Sequence, residues 1–165
     1  MAALEAGKTA PSFSLPLLAA GQFSLKEALA RGPVVVAFFK ISCPVCQFTF
    51  PYLQRLHEAV KDANVTIVGV SQNNKEHTAA FAREYRITFP IALDDPSRYP
   101  VSNDFGITNV PTVFYIAQDG RIEISSVGWS RGDLESIAHD IGERKLGTRI
   151  QVIRGSEDVP AFKAG

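Results

Sequence analysis

The residues of this chain best suited to chemistry are its only two cysteines, in the tetrapeptide Cys43-Pro44-Val45-Cys46. A CxxC spacing is typical either of a redox-active dithiol or of half a zinc site. A disulfide across two residues closes too small a loop to add much stability. The pair is therefore a candidate centre for thiol–disulfide exchange, in which one thiolate attacks a disulfide and the second thiol resolves the product.

The predicted elements around the pair favour the redox interpretation. The apolar run Val34–Phe39 predicts a buried parallel strand, and residues 44–61 predict a helix. Unpaired N–H groups and the helix dipole stabilise a thiolate at a helix start, where a cysteine pKa can fall from about 8.5 toward about 3.5–7.5. Pro44 suits the first helical position. We expect Cys43 to be the exposed attacking sulfur and Cys46, one turn later, the deeper resolving sulfur.

Strands and helices alternate along the rest of the chain. After a loose arm at 1–12, the predicted strands beyond the cysteine helix are 65–70, 89–93, 112–116 and 122–128, with a strand-like stretch at 148–153. The predicted helices are 74–85 and 133–142, with a weakly helical connection at 97–105. This order predicts an α/β fold, a three-layer α/β/α sandwich around a mixed central sheet.

Length and composition bound the class of protein. The 165 residues, 45% apolar and 21% charged, predict one domain over 1–165, with its core at about 7–142 and a C-terminal extension at about 143–165. Zero net charge gives no reason to expect nucleic acid or a membrane surface as partner. No membrane-spanning run or secretory signal is visible, so the default expectation is a cytoplasmic protein, or a periplasmic one if a signal has been trimmed from the sequence. A monomer or weak dimer is expected.

Four features together resemble the thioredoxin superfamily. They are the strand–CPVC–helix order, Pro51 in the active-site helix, Val110-Pro111 before a core strand, and the terminal hairpin and helix. The long separation of Cys43 from Pro111 leaves room for an additional strand–helix element at about 70–94. That insertion and the stretch at 7–13 resemble the TlpA-like and AhpC/TSA (redoxin, peroxiredoxin-like) branch, which bacterial sequences dominate.

The resemblance implies a thioredoxin-like fold with the insertion between the CxxC helix and the strand after Pro111. It implies a thiol–disulfide oxidoreductase in which Pro111 is cis beside the cysteines and the Val110 backbone faces an extended substrate. The expected partners are a protein or small-molecule disulfide and a dithiol protein that donates electrons. No cofactor or metal is expected beyond the redox-active Cys43–Cys46 disulfide.

The chain also departs from the family pattern. Ser42 replaces the tryptophan that often precedes the first cysteine, and Ala37 stands where plain thioredoxins carry a buried aspartate. Lys40 is an unusual charge three residues before Cys43. It is either a solvated strand end or a charge that stabilises the Cys43 thiolate. After the second strand, residues 72 and 73, Gln and Asn, either line the site or cap a polar loop.

A thiol-dependent peroxidase is the alternative function. Peroxiredoxins place Pro-x-x-x-Thr-x-x-Cys around the peroxidatic cysteine. With Cys43 in that role the Pro and Thr positions hold Val36 and Lys40, and with Cys46 they hold Phe39 and Cys43. Neither alignment fits, so exchange is the preferred prediction.

Two further interpretations concern metal and docking. A zinc site needs about four ligands, and the three histidines, His57, His77 and His139, are well separated in sequence. The two cysteines are therefore not expected to form a zinc site with them. Near Cys43, the aromatic residues 48, 50 and 52 either frame an apolar docking surface or pack into the core.

Overall fold

A mixed five-stranded sheet forms the centre of the fold, which a computed structural model describes for residues 2–165. In spatial order its strands are β5 (Ile91–Leu93), β4 (Thr66–Ser71), β3 (Val34–Phe39), β6 (Thr112–Ile116) and β7 (Ile122–Val127). The strands β5, β4 and β3 are parallel, whereas β6 is antiparallel to both β3 and β7. The predicted mixed sheet is therefore confirmed.

Helices and short strands surround this sheet. The helices are α1 (Leu25–Arg31), α2 (Pro44–Val60), α3 (Lys75–Glu84), α4 (Pro100–Asp104) and α5 (Arg131–Ile141), which continues into a π-helical turn at Gly142–Leu146. The short strands are the hairpin β1 (Ser14–Pro16) and β2 (Gln22–Ser24), and the pair β8 (Trp129–Ser130) and β9 (Phe162–Lys163). As predicted, α3 and β5 are inserted between the cysteine helix and β6.

The central strand β3 divides the interior into two cores. Its side chains alternate between the faces, so that Val35, Ala37 and Phe39 join one buried cluster and the intervening residues join the other. The first cluster is completed by α2, α3 and α5, and the second by the β1–β2 hairpin, α1 and α4. This arrangement is the three-layer α/β/α sandwich predicted from the sequence.

An aromatic layer fixes α2 on the sheet. The ring of Phe50 lies 4.2 Å from that of Phe39, 5.5 Å from Phe81 and 5.6 Å from Phe89, centroid to centroid. These rings lie over Gly69 of β4, where an added Cβ would approach Phe39 and Phe50 to 3.2 and 3.3 Å. Because the cysteines begin α2, this contact also positions them relative to the sheet.

The N-terminal arm is not loose, contrary to the prediction for residues 1–12. Of that range Met1 lies outside the described residues. Backbone hydrogen bonds tie Leu4 to Phe105, Gly7 to Ile122 and Ala10 to Gly120. The prediction failed because these are long-range backbone bonds, which leave no local pattern in the sequence.

The tail is also different from its prediction. Residues 148–153 form no strand, because this stretch of backbone pairs with no neighbouring strand; Val152 and Ile153 are buried in an irregular segment. Arg55 of α2 fixes this irregular segment by donating to the Val152 carbonyl oxygen at 3.1 Å and pairing with Glu157 at 2.8 Å. The only tail strand among residues 2–165 is β9, further along the chain.

Gly69→Val tests whether the aromatic layer needs the missing side chain. The branched side chain would enter the space of Phe39 and Phe50, so we expect the free energy of unfolding to fall by about 1–3 kcal/mol. Urea denaturation measures this change. The control is Gly132→Ala on α5, where a Cβ meets no atom within 4 Å and a helical alanine is favoured. Equal denaturation midpoints for Gly69→Val and the parent protein would contradict the expectation.

Candidate active site

The two cysteines lie at the start of α2. Cys43 is the N-cap residue, with extended backbone angles, and Pro44 takes the first helical position. The Cys46 backbone N–H donates to Cys43 Sγ at 3.2 Å. The sulfur thus accepts from one of the N–H groups that a helix start leaves unpaired, which stabilises negative charge on it.

The two sulfurs lie in different environments. Cys43 is half-buried, whereas Cys46 is fully buried in the core beneath α2. Burial, together with a hydrogen bond to Cys43, raises the pKa of the Cys46 thiol far above its ordinary value of about 9. Cys46 is therefore a neutral thiol across the physiological pH range, and Cys43 is the sulfur that solvent and substrate can reach.

The loop before Cys43 is fixed by two amide side chains. Asn73 Oδ1 accepts from the Ile41 N–H at 2.9 Å, and Gln47 Nε2 donates to the Ile41 carbonyl oxygen at 2.9 Å. Residues 72 and 73 were expected either to line the site or to cap a polar loop. Asn73 contacts the active-site loop, so we interpret it as a positioning residue. Gln47 was missed. Its signal is a polar residue within the first turns of the cysteine helix, on the side facing the loop.

The Val110–Pro111 loop lies against Cys43. Their peptide bond is cis, and the Val110 carbonyl oxygen accepts from Cys43 Sγ at 3.4 Å. Thr112 Oγ1 donates to the Asn109 carbonyl oxygen at 2.7 Å across the loop. The fold thus brings Cys43, Cys46, Val110 and Pro111 together at one end of the sheet.

Lys40 reaches this group through its backbone and not through its ammonium group, and Pro51 lies further along α2. The Lys40 side chain is exposed, and its ammonium nitrogen lies 5.7 Å from the centroid of the Tyr99 ring. Its carbonyl oxygen accepts from the Cys43 N–H at 3.3 Å. Pro51 lies within α2, two turns beyond Pro44, where it removes one hydrogen bond from the helix.

An aromatic group continues the site along α2. Phe48 and Tyr52 are half-buried and both contact Trp129, at 5.0 Å between ring centroids in each case. Phe50 is fully buried in the core. Of the three aromatic residues near Cys43, Phe48 and Tyr52 therefore border the surface, whereas Phe50 serves packing.

Residues 2–165 contain no group of three or more His, Cys, Asp or Glu side chains placed to bind a metal ion. None of the helices in this range has the length and apolar composition that crossing a membrane requires.

Comparison with known proteins identifies the family. A family model described as AhpC/TSA family matches residues 6–125, more than half of the chain. The thiol-disulfide oxidoreductase ResA of Geobacillus thermodenitrificans (strain NG80-2) is 30% identical over 122 residues, covering 73% of this chain and 68% of the relative. The chain belongs to the AhpC/TSA family, in the TlpA-like branch of the thioredoxin superfamily, and is an oxidoreductase.

Solved structures share the fold. A thiol:disulfide interchange protein from Bacteroides sp. has a TM-score of 0.74 at 24% identity, covering 87% of this chain and 95% of that protein. The peroxidoxin BcpB from Mycobacterium tuberculosis has a TM-score of 0.68 at 22% identity, covering 84% of this chain and 94% of that protein. Because both identities are below 25%, the likeness establishes the thioredoxin-like fold alone. The two structures are named for different reactions, disulfide interchange and peroxide reduction, so the shared fold does not decide between them.

The buried Cys46 thiol predicts a pH dependence of stability. In the unfolded chain the Cys46 thiol loses its proton near pH 9, whereas in the folded protein its raised pKa keeps this thiol protonated. The unfolded state then binds fewer protons, so the stability that the neutral thiol supports below pH 9 is lost as the pH rises. We expect the reduced protein to lose about 1 kcal/mol of unfolding free energy between pH 8 and pH 9.5.

Urea denaturation with a phosphine reductant measures this loss. The matched variant is Cys46→Ala, which lowers stability at every pH through its cavity but removes the titrating group. Only the difference between the two pH values is compared, and it should be smaller in the variant. An equal decline in both proteins would show that Cys46 does not cause it.

Proposed function

We propose that this protein exchanges a dithiol for a disulfide through Cys43 and Cys46. The Cys43 thiolate attacks one sulfur of a substrate disulfide, forming a mixed disulfide and releasing the other sulfur as a thiolate. Cys46 loses its proton to the released thiolate or to solvent and attacks Cys43 Sγ. The substrate leaves as a dithiol, and the protein retains its two-electron oxidised form, the Cys43–Cys46 disulfide.

The observation that carries this proposal is the unequal environment of the two sulfurs. Cys43 Sγ is half-buried at the helix start and accepts from the Cys46 N–H, as an attacking thiolate requires. Cys46 is fully buried, with a raised pKa, so a substrate cannot reach it directly. Its only accessible disulfide partner is Cys43, which is what a resolving thiol needs.

The loop at Val110 supports the same function. Its carbonyl oxygen already contacts Cys43 Sγ, so a chain lying along this loop would bring its own disulfide to the nucleophile. We infer that the substrate is a protein or small-molecule disulfide and that a second dithiol protein reduces the Cys43–Cys46 disulfide again. The reaction needs no cofactor, because both electrons are carried by the cysteine sulfurs.

Cys43→Ser should abolish the reduction of insulin disulfides, because an alcohol is not ionised near neutral pH and cannot form the mixed disulfide. The turbidity of precipitating insulin chains, with dithiothreitol as electron donor, measures the rate. Ser42→Ala is the matched control, since it changes an exposed neighbour in the same loop and should retain activity. Insulin reduction by Cys43→Ser above the uncatalysed rate would overturn the assigned nucleophile.

Cys46→Ser should instead accumulate mixed disulfides. Cys43 can still attack, but the resolving step is lost, so the substrate stays attached. Incubation with insulin followed by non-reducing electrophoresis and mass spectrometry should show adducts at Cys43. The double variant Cys43→Ser/Cys46→Ser is the control that should form none.

Peroxidase activity is measured on the same protein. Rapid hydrogen peroxide consumption with a thiol donor, together with no insulin reduction and no adducts in Cys46→Ser, would replace exchange by the peroxidase alternative.

A further inference from the structure

The last five described residues return to the active site. The chain before them is anchored, because Trp129 Nε1 donates to the Pro160 carbonyl oxygen at 2.8 Å and the Val159 side chain is buried. From there β9 pairs antiparallel with β8, matching Phe162 to Ser130 and Lys163 to Trp129. This pairing directs the segment along the edge of the fold toward the Val110–Pro111 loop.

The end of the segment contacts that loop. Gly165 packs so closely that an added Cβ would lie 2.4 Å from the Val110 carbonyl oxygen. Asn109 Nδ2 donates to the Gly165 carbonyl oxygen at 3.4 Å. The Val110 carbonyl oxygen is the same atom that accepts from Cys43 Sγ. One backbone atom is therefore shared between the candidate nucleophile and the C-terminal segment.

The segment also covers the aromatic group of the site. Lys163 Nζ lies 5.1 Å from the centroid of the Phe48 ring, which itself packs on Trp129. A Cβ added to Gly128 would lie 2.4 Å from the Lys163 carbonyl oxygen, so this backbone is also in close contact with the end of β7. The segment thus occupies a strip that runs from Phe48 to Val110.

Little burial holds this segment in place. All five residues from 161 to 165 are exposed, and Phe162 is 61% exposed. In contrast, Val152, Ile153 and Val159 earlier in the tail are buried. A short backbone ladder without buried apolar contacts opens at low free-energy cost. The segment can therefore lift from the loop while the rest of the tail stays docked.

We propose that residues 161–165, the C-terminal cover, determine which disulfides reach Cys43. The inference rests on the proposed exchange function and concerns the same site. The cover occupies the side of the Val110–Pro111 loop along which an extended polypeptide substrate would pair. Such a substrate must displace the cover, whereas a small disulfide reaches the half-buried Cys43 with the cover in place. The cover thus favours small disulfides and extended chains that can replace its strand pairing over folded proteins.

The test compares two substrates and three variants. The first variant ends at Pro160 and lacks the cover. The second, Gly165→Val, places side-chain atoms against the Val110 carbonyl oxygen and forces the end of the cover off the loop. The control is Gly155→Val in the same tail, where a Cβ meets no atom within 4 Å. Thermal melting followed by circular dichroism establishes that each variant folds.

The measured quantity is the ratio of two single-turnover rates of the reduced protein, one with insulin and one with 5,5′-dithiobis(2-nitrobenzoate). A cover that is closed about nine-tenths of the time lowers access about tenfold, so we expect this ratio to rise about three- to tenfold in both test variants. The control should keep the parent ratio. If the shortened protein does not fold, Gly165→Val gives the same comparison.

Three results would overturn the proposal, and they are distinguishable. If both individual rates, and therefore their ratio, stayed at the parent values in folded test variants, the cover would not limit access. A parallel rise in both rates would show altered reactivity of Cys43 instead of altered access. If the parent protein reduced neither substrate, the exchange function itself would fail, and the cover with it.

Discussion

The hydrogen bond from the Cys46 backbone N–H to Cys43 Sγ is the interaction on which the rest of the site depends. Helix caps are usually side-chain oxygens of serine, threonine, asparagine or aspartate. Here the cap is the sulfur of Cys43, so the atom that begins α2 is also the proposed nucleophile. A negatively charged sulfur is the better acceptor, and it loses that charge when it enters a disulfide. The start of the helix is therefore coupled to the redox state of the pair.

This coupling requires α2 to be held firmly elsewhere. The aromatic layer of Phe39, Phe50, Phe81 and Phe89 fixes the helix over Gly69. On its outer side, Arg55 binds the tail through Glu157, and the Arg55 pair lowers the pKa of that carboxyl to about 2. Because the body of α2 is packed on both sides, we expect changes at Cys43 to be confined to the first turn.

The sequence was sufficient to predict the parts of the fold that carry strong local patterns. The unbroken apolar run of β3 indicated a strand buried on both faces, and the CPVC motif at the following helix indicated the two sulfurs. The contributions of Asn73 and Gln47 could not be predicted in the same way. Each acts through a single hydrogen bond to Ile41, and such a contact depends on the meeting of three separate segments.

The tail shows the same limit more clearly. Val152 and Ile153 suggested a strand because β-branched residues favour extended backbone. Instead both are buried against the core in an irregular segment, which Arg55, 97 residues before Val152, binds through the Val152 carbonyl oxygen. Local propensity describes what a segment can adopt, whereas the available partners decide what it does adopt.

The fold also accounts for the different roles proposed for the two sulfurs, although both belong to one short motif. A helix turn separates them, and that turn crosses from the half-exposed end of the sheet into the core. Desolvation raises the pKa of Cys46, while the unpaired N–H groups of the helix start stabilise charge at Cys43. The division of roles thus arises from the depth of α2 in the core, which the aromatic layer sets, and not from the residues of the motif alone.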